Sequence, residues 1–175
     1  PFIAVLTVSS AVIFRNAVLA ALSPIALANL IGTGTAYWHA SYALFVQEAT
    51  ISIVLFGGLA ALLFFLRHRL PKANEVPALV AARVSFFLAN FGFWIGSLWG
   101  DHVGELWSEA GDMDYEALTV WRQHALFIPD TAFALGWLVF LGICIVAGLR
   151  TPRRFIPTPS LVFRATPFYP PPLYT

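Results

Sequence analysis

Apolar residues in this chain gather into four long stretches separated by short polar segments. Three of them, Tyr42–Leu66, Ala78–Trp99 and Ala125–Leu149, each reach the roughly 20 residues that a helix needs to cross a bilayer core. The first stretch, Phe2–Ile31, is interrupted by Arg15 and Asn16, with Ser23-Pro24 further on. It reads best as a single span over Val12–Ile31, kinked at Pro24, with Phe2–Val8 in the interface or packed on a neighbour. Two short helices meeting near Arg15 are the alternative. Gly32-Thr33-Gly34-Thr35 reads as a turn between helices. The pattern predicts an all-α integral membrane helical bundle of three to four transmembrane helices over residues 1–150.

The polar segments give this bundle a direction. Arg67, Arg69 and Lys72 follow the second stretch, and Arg150, Arg153 and Arg154 follow the fourth. Between the third and fourth lie Asp101, Glu105, Glu109, Asp112, Asp114 and Glu116, with no Lys or Arg before Arg122. By the positive-inside rule the basic segments face the cytoplasm or matrix, and four spans would put both termini there. Trp38, Trp99, Trp107 and Trp121 fall at predicted span ends on the acidic side, as an interfacial aromatic belt requires, whereas Trp94 and Trp137 are expected to pack against protein. Residues 151–175 differ from the rest. Seven prolines forbid a long helix there, and the interleaved Phe and Tyr rings suggest an extended arm that lies on a partner.

Composition agrees. Of 175 residues, 59% are hydrophobic and 11% charged, with a mean hydropathy of +0.77. A soluble domain would carry about a quarter of its residues as charges. A net charge of +1 and the lack of a basic patch give no reason to expect a nucleic-acid partner. The single cysteine, Cys144, excludes an internal disulfide framework and a CxxC motif. No basic targeting segment with a small-residue cleavage site is recognisable at the start.

Candidate functional positions are few. Gly92, Gly96 and Gly100 repeat every four residues and form a helix-packing row, where small residues let backbones approach in lipid. A flat cofactor such as haem or quinone, held by a neighbouring subunit, could also approach such a row. Glu48, expected inside the second span, and Asp130, after Pro129 at the start of the fourth, are the intramembrane polar candidates. Asp130 is expected to pair with Arg122, Arg83 or Arg15. His39, His102 and His124 all fall on the acidic side and are the candidate cofactor-binding residues, although none lies mid-span facing another and no pair has HxxxH spacing. No dinucleotide, Walker or Ser-His-Asp motif is present, so no catalytic residue is assigned.

Three blocks resemble the last three helices of the nitric oxide reductase large subunit, of the haem-copper oxidase superfamily. They are Trp38-His39-Ala40-Ser41-Tyr42-Ala43-Leu44-Phe45, Ala82-Arg83-Val84-Ser85-Phe86-Phe87-Leu88-Ala89-Asn90-Phe91-Gly92, and Trp121-Arg122 with Pro129-Asp130-Thr131-Ala132-Phe133-Ala134-Leu135-Gly136. The resemblance implies a helical block with His39 at the high-spin haem position. Ser41 stands where the family has its second histidine, and the helices that would supply copper ligands are missing. It therefore implies a derived non-catalytic subunit or one piece of a split protein.

Together these features point to a non-catalytic structural or assembly subunit of a larger membrane complex, respiratory or otherwise energy-converting. Its partners would be other membrane subunits and lipids. Its setting would be a bacterial cytoplasmic membrane or a mitochondrial inner membrane, with the acidic 101–122 loop on the periplasmic or intermembrane-space side. The alternative is a small membrane redox protein, or oxidase-like fragment, binding haem or metal through the acidic-side histidines.

Overall fold

The computed structural model describes the backbone of residues 2–38, 41–108 and 115–150, and their side chains except at 35–45, 115 and 147–150. The expected arm at 151–175, His39, and the acidic residues at 109, 112 and 114 lie outside the described residues.

The chain is a helical bundle. Among the described residues, two helices are long and apolar enough to cross a membrane: α3 (Ala49–Leu66), extended by a 3-10 turn at Arg67–Arg69, and α4 (Lys72–Trp99). The first stretch forms two helices, α1 (Phe2–Phe14) and α2 (Ala17–Leu30), so the single span over Val12–Ile31 is not formed. The break has a local cause. Arg15 adopts a left-handed φ of 51°, and the Asn16 side chain accepts from the backbone N–H of Val18 at 2.8 Å and of Leu19 at 3.4 Å. That is N-cap geometry, and it starts a new helix at Ala17. The two helices fold back on each other, and Ala11 and Ala20 meet in one cluster with Ala81 of α4. At about 1.5 Å per residue, the 14 residues of α2 rise about 21 Å, short of a bilayer core of about 30 Å.

The chain then departs from the expected helix at Tyr42. β1 (Thr33–Trp38) and β2 (Ser41–Val46) pair antiparallel, from Thr33 with Val46 to Trp38 with Ser41. Ile31–Gly32 does make a turn, with Gly32 at φ 73°, but strand replaces turn from Thr33 onward. α4 runs the length of the bundle and contacts α2, α3 and α6 (Asp130–Arg150). Its last residue is followed by β3 (Asp101–His102), a 3-10 turn at Glu105–Trp107, α5 (Tyr115–His124) and β4 (Phe127–Ile128), which pairs with β3. The fourth stretch is therefore helical only from Asp130, five residues later than expected.

Small residues make the helix contacts. Ala28 and Ala89 close around Phe56, which is fully buried between α2, α3 and α4. On the other side of α4, Trp137 of α6 is 0% exposed, and its indole N–H donates to Asn90 Oδ1 at 3.2 Å. Asn90 Nδ2 donates in turn to the Phe86 carbonyl at 2.8 Å, so this buried polar pair is satisfied. The outer faces are different. Phe2 and Ile13 of α1, Val54 and Phe65 of α3, and Leu135 and Val139 of α6 are exposed, and only 22% of the most apolar window of α3 is buried. A soluble monomer rarely shows so continuous an apolar surface.

Candidate functional site

Polar side chains gather at the end of the bundle where α3 begins and α4 stops. β2 ends at Val46, and Glu48 occupies the N-cap position of α3 with φ −118°, its carbonyl accepting the first helical hydrogen bond from Ser52 N–H at 2.9 Å. Glu48 therefore precedes its helix instead of lying inside it, because the strand ahead of it moves the helix start to Ala49. Its side chain turns away from its own helix, is 0% exposed, and crosses to the segment after α4. There Oε2 accepts from Gly104 N–H at 2.9 Å and Oε1 from Leu106 N–H at 2.8 Å. Gly104, at φ 93°, turns the backbone so that both amides converge on one carboxylate.

The segment after α4 returns the interaction. Asp101 Oδ2 accepts from Thr50 N–H at 2.8 Å, supplying α3 with the side-chain cap that Glu48 does not provide. Gly100, at φ 71°, makes the sharp exit from α4 that points Asp101 this way. A Cβ there would lie 2.7 Å from the Ile128 carbonyl. The β3–β4 ladder holds the same segment to the entrance of α6, and Val103 N–H donates to the Leu126 carbonyl at 3.0 Å. Arg122 of α5 closes the outer side, donating to Glu105 from Nε at 3.0 Å and from Nη2 at 2.6 Å. A cleft of about 610 Å³ remains between these parts, lined by Gln47, Trp99, His102, Glu105, Leu118 and Arg122 among others.

The chemistry of this arrangement is that of a brace. Both Glu48 oxygens and one Asp101 oxygen are engaged by main-chain donors, a geometry suited to holding segments together. Among the described residues no group of three or more His, Cys, Asp or Glu side chains could hold a metal ion. His102 packs its ring on Phe127, centroids 4.6 Å apart, while His124 is exposed on the last residue of α5. Trp38 and Ser41 are paired strand residues, so the block that carried the first part of the nitric oxide reductase resemblance is not helical at either. Asp130 is the exposed first residue of α6 and makes no ion pair among the described residues. Of its expected partners, Arg122 engages Glu105 and Arg15 sits at the opposite end of the bundle.

Gly92 and Gly96 face two different helices of this same chain. A Cβ on Gly92 would come within 3.1 Å of Ile53 and 3.3 Å of the Ala49 carbonyl, and one on Gly96 within 2.5 Å of the Phe133 ring. Sequence reasoning missed that Glu48 and Asp101 each accept from the backbone of the other's segment. One signal was available, an acidic residue directly ahead of the apolar run Ala49–Leu66, where helix N-termini favour negative charge. No protein-family model, curated protein or solved structure matches the chain.

Proposed function

We propose that this chain is a non-catalytic structural or assembly subunit of a larger membrane complex. In this reading α3, α4 and α6 cross the bilayer, and the α1–α2 hairpin packs beside them as an apolar element that does not itself cross. The observation that carries the proposal is the apolar surface on the outer faces of α1, α3 and α6, set against a polar end whose buried carboxylates are occupied by backbone donors. Lipid and neighbouring helices are the surroundings that such faces favour, while a catalytic site would need polar groups left available to a substrate. The alternative, a haem- or metal-binding redox protein, is weakened by the lack of a ligand cluster among the described residues. A respiratory or other energy-converting complex, in a bacterial cytoplasmic or mitochondrial inner membrane, is the setting that the resemblance suggests.

Two-dimensional native electrophoresis of the parent membrane in mild detergent tests this. The chain should resist carbonate extraction and migrate with other subunits in a stoichiometric assembly. Migration only as a free monomer would contradict the subunit role. A Soret band in the purified isolated chain would restore the redox alternative.

A further inference from the structure

An apolar cavity of about 410 Å³ lies between α1, α2, α3 and α4, walled by Val8, Val12, Leu27, Leu59, Leu63 and Ala78. Asn74, in the first turn of α4, also lines it, and its Oδ1 is buried without a hydrogen-bond partner. A buried acceptor left unpaired costs free energy; the other polar side chain of the lining, Ser23, donates to the Leu19 carbonyl of its own helix, so Asn74 Oδ1 points to a missing donor. The cavity reaches the end of the bundle where α3 stops and α4 starts. Leu70 and Asn74, on either side of Lys72, belong to its lining, as do Val12 and Ala20, on either side of Arg15. Arg15, Arg69 and Lys72 are all exposed there, and none makes an ion pair among the described residues.

We propose that this cavity binds an anionic phospholipid with a hydroxylated headgroup, of the phosphatidylglycerol type. One acyl chain lies between the α1–α2 hairpin and α3, along the wall from Leu63 to Leu59. The phosphate is held by Arg15, Arg69 and Lys72, and a headgroup hydroxyl donates to Asn74 Oδ1. A zwitterionic lipid would leave the three cations without a net countercharge. A quinone offers only acceptors and would leave Asn74 Oδ1 unpaired. This inference rests on the chain being embedded in a membrane, and carbonate extraction of each variant checks that separately.

The test is native mass spectrometry of the full chain after exchange with equal amounts of dioleoyl phosphatidylglycerol, phosphatidylcholine and phosphatidate. Phosphatidylglycerol should be retained at least about tenfold over phosphatidylcholine, since three cations at about 1 kcal/mol each set an upper bound of roughly a hundredfold. Replacing Arg15, Arg69 and Lys72 together by Gln should remove that preference. Asn74→Leu should leave it but remove the preference for phosphatidylglycerol over phosphatidate, and Ala78→Phe should expel the lipid. Should those variants fold poorly, a phosphatidylglycerol with a photoreactive acyl chain should label the wild-type chain within residues 20–27 or 59–63. Equal retention of all three lipids, indifference to Asn74→Leu, or labelling confined to other segments would overturn the proposal.

Discussion

Glu48 and Asp101, fifty-three positions apart, each complete the other's segment: Glu48 binds the amides of Gly104 and Leu106, and Asp101 binds the amide of Thr50. The exchange ties the start of α3 to the exit of α4 without using a helix face. Those faces stay free for Phe56, Gly92 and their neighbours, so the bundle keeps its packing surface while its polar end is closed by hydrogen bonds.

The two carboxylates should differ in how they tolerate amide replacement. Glu48 uses both oxygens on separate donors, so Glu48→Gln turns an NH2 group toward an N–H and should cost roughly 2–4 kcal/mol. Asp101 uses only Oδ2 on Thr50, so Asp101→Asn keeps its acceptor and should cost about 1 kcal/mol or less. Denaturant unfolding in detergent, followed by tryptophan fluorescence, measures the difference. Equal losses would mean that the carboxylate charge, rather than the count of accepted bonds, sets the effect.

Of the two glycines of its row inside α4, Gly96 should be less replaceable than Gly92. An added methyl group would press into the Phe133 ring, so Gly96→Ala should cost roughly 1–3 kcal/mol. Gly58→Ala meets nothing within 4 Å and should be neutral or slightly stabilising. Combining Gly96→Ala with Phe133→Leu should recover part of the loss. Thermal unfolding of the four proteins in one detergent compares them, and a Gly96→Ala protein as stable as Gly58→Ala would mean that α6 does not pack tightly on α4.

The C-terminal segment 151–175 carries seven prolines and five aromatic rings, and its role as an anchoring arm is an expectation from sequence. Prolines reduce the conformational entropy lost on docking, and each buried Phe-sized ring contributes about 1.5–3 kcal/mol. Deleting residues 155–175 should leave the bundle inserted in the membrane but weaken its retention in the complex under mild detergent. Limited proteolysis of the intact complex provides the control. Rapid trimming near Arg164 without loss of the subunit would contradict anchoring.

Much of the bundle was legible because long apolar runs with few charges constrain a chain strongly. Lys72–Trp99 contains the expected third run, and Asp130–Arg150 covers the expected fourth except for its first five residues. What escaped was local. Tyr42–Val46 is apolar and runs almost directly into the helix after it, so hydropathy alone joined strand to helix and carried Glu48 into the span. Arg15 and Asn16 were visible as an interruption, yet a kinked span and a helical hairpin share that pattern until the Asn16 cap decides between them. The brace at the polar end depends on the segments of Glu48 and Asp101 coming together across fifty-three positions, which no local spacing encodes.

Sidedness of the two bundle ends is the most direct test, because a membrane-spanning α4 must separate them. With Cys144→Ser as background, single cysteines at Arg69 and Ser108 flank α4 at its basic and acidic ends. In sealed vesicles of one orientation, an impermeant maleimide should label one of the two positions before permeabilisation and the other only after it. Ser108→Cys is the one expected to react from the periplasmic or intermembrane-space side. Labelling of both positions from the same side would contradict a transmembrane α4, and with it the membrane subunit.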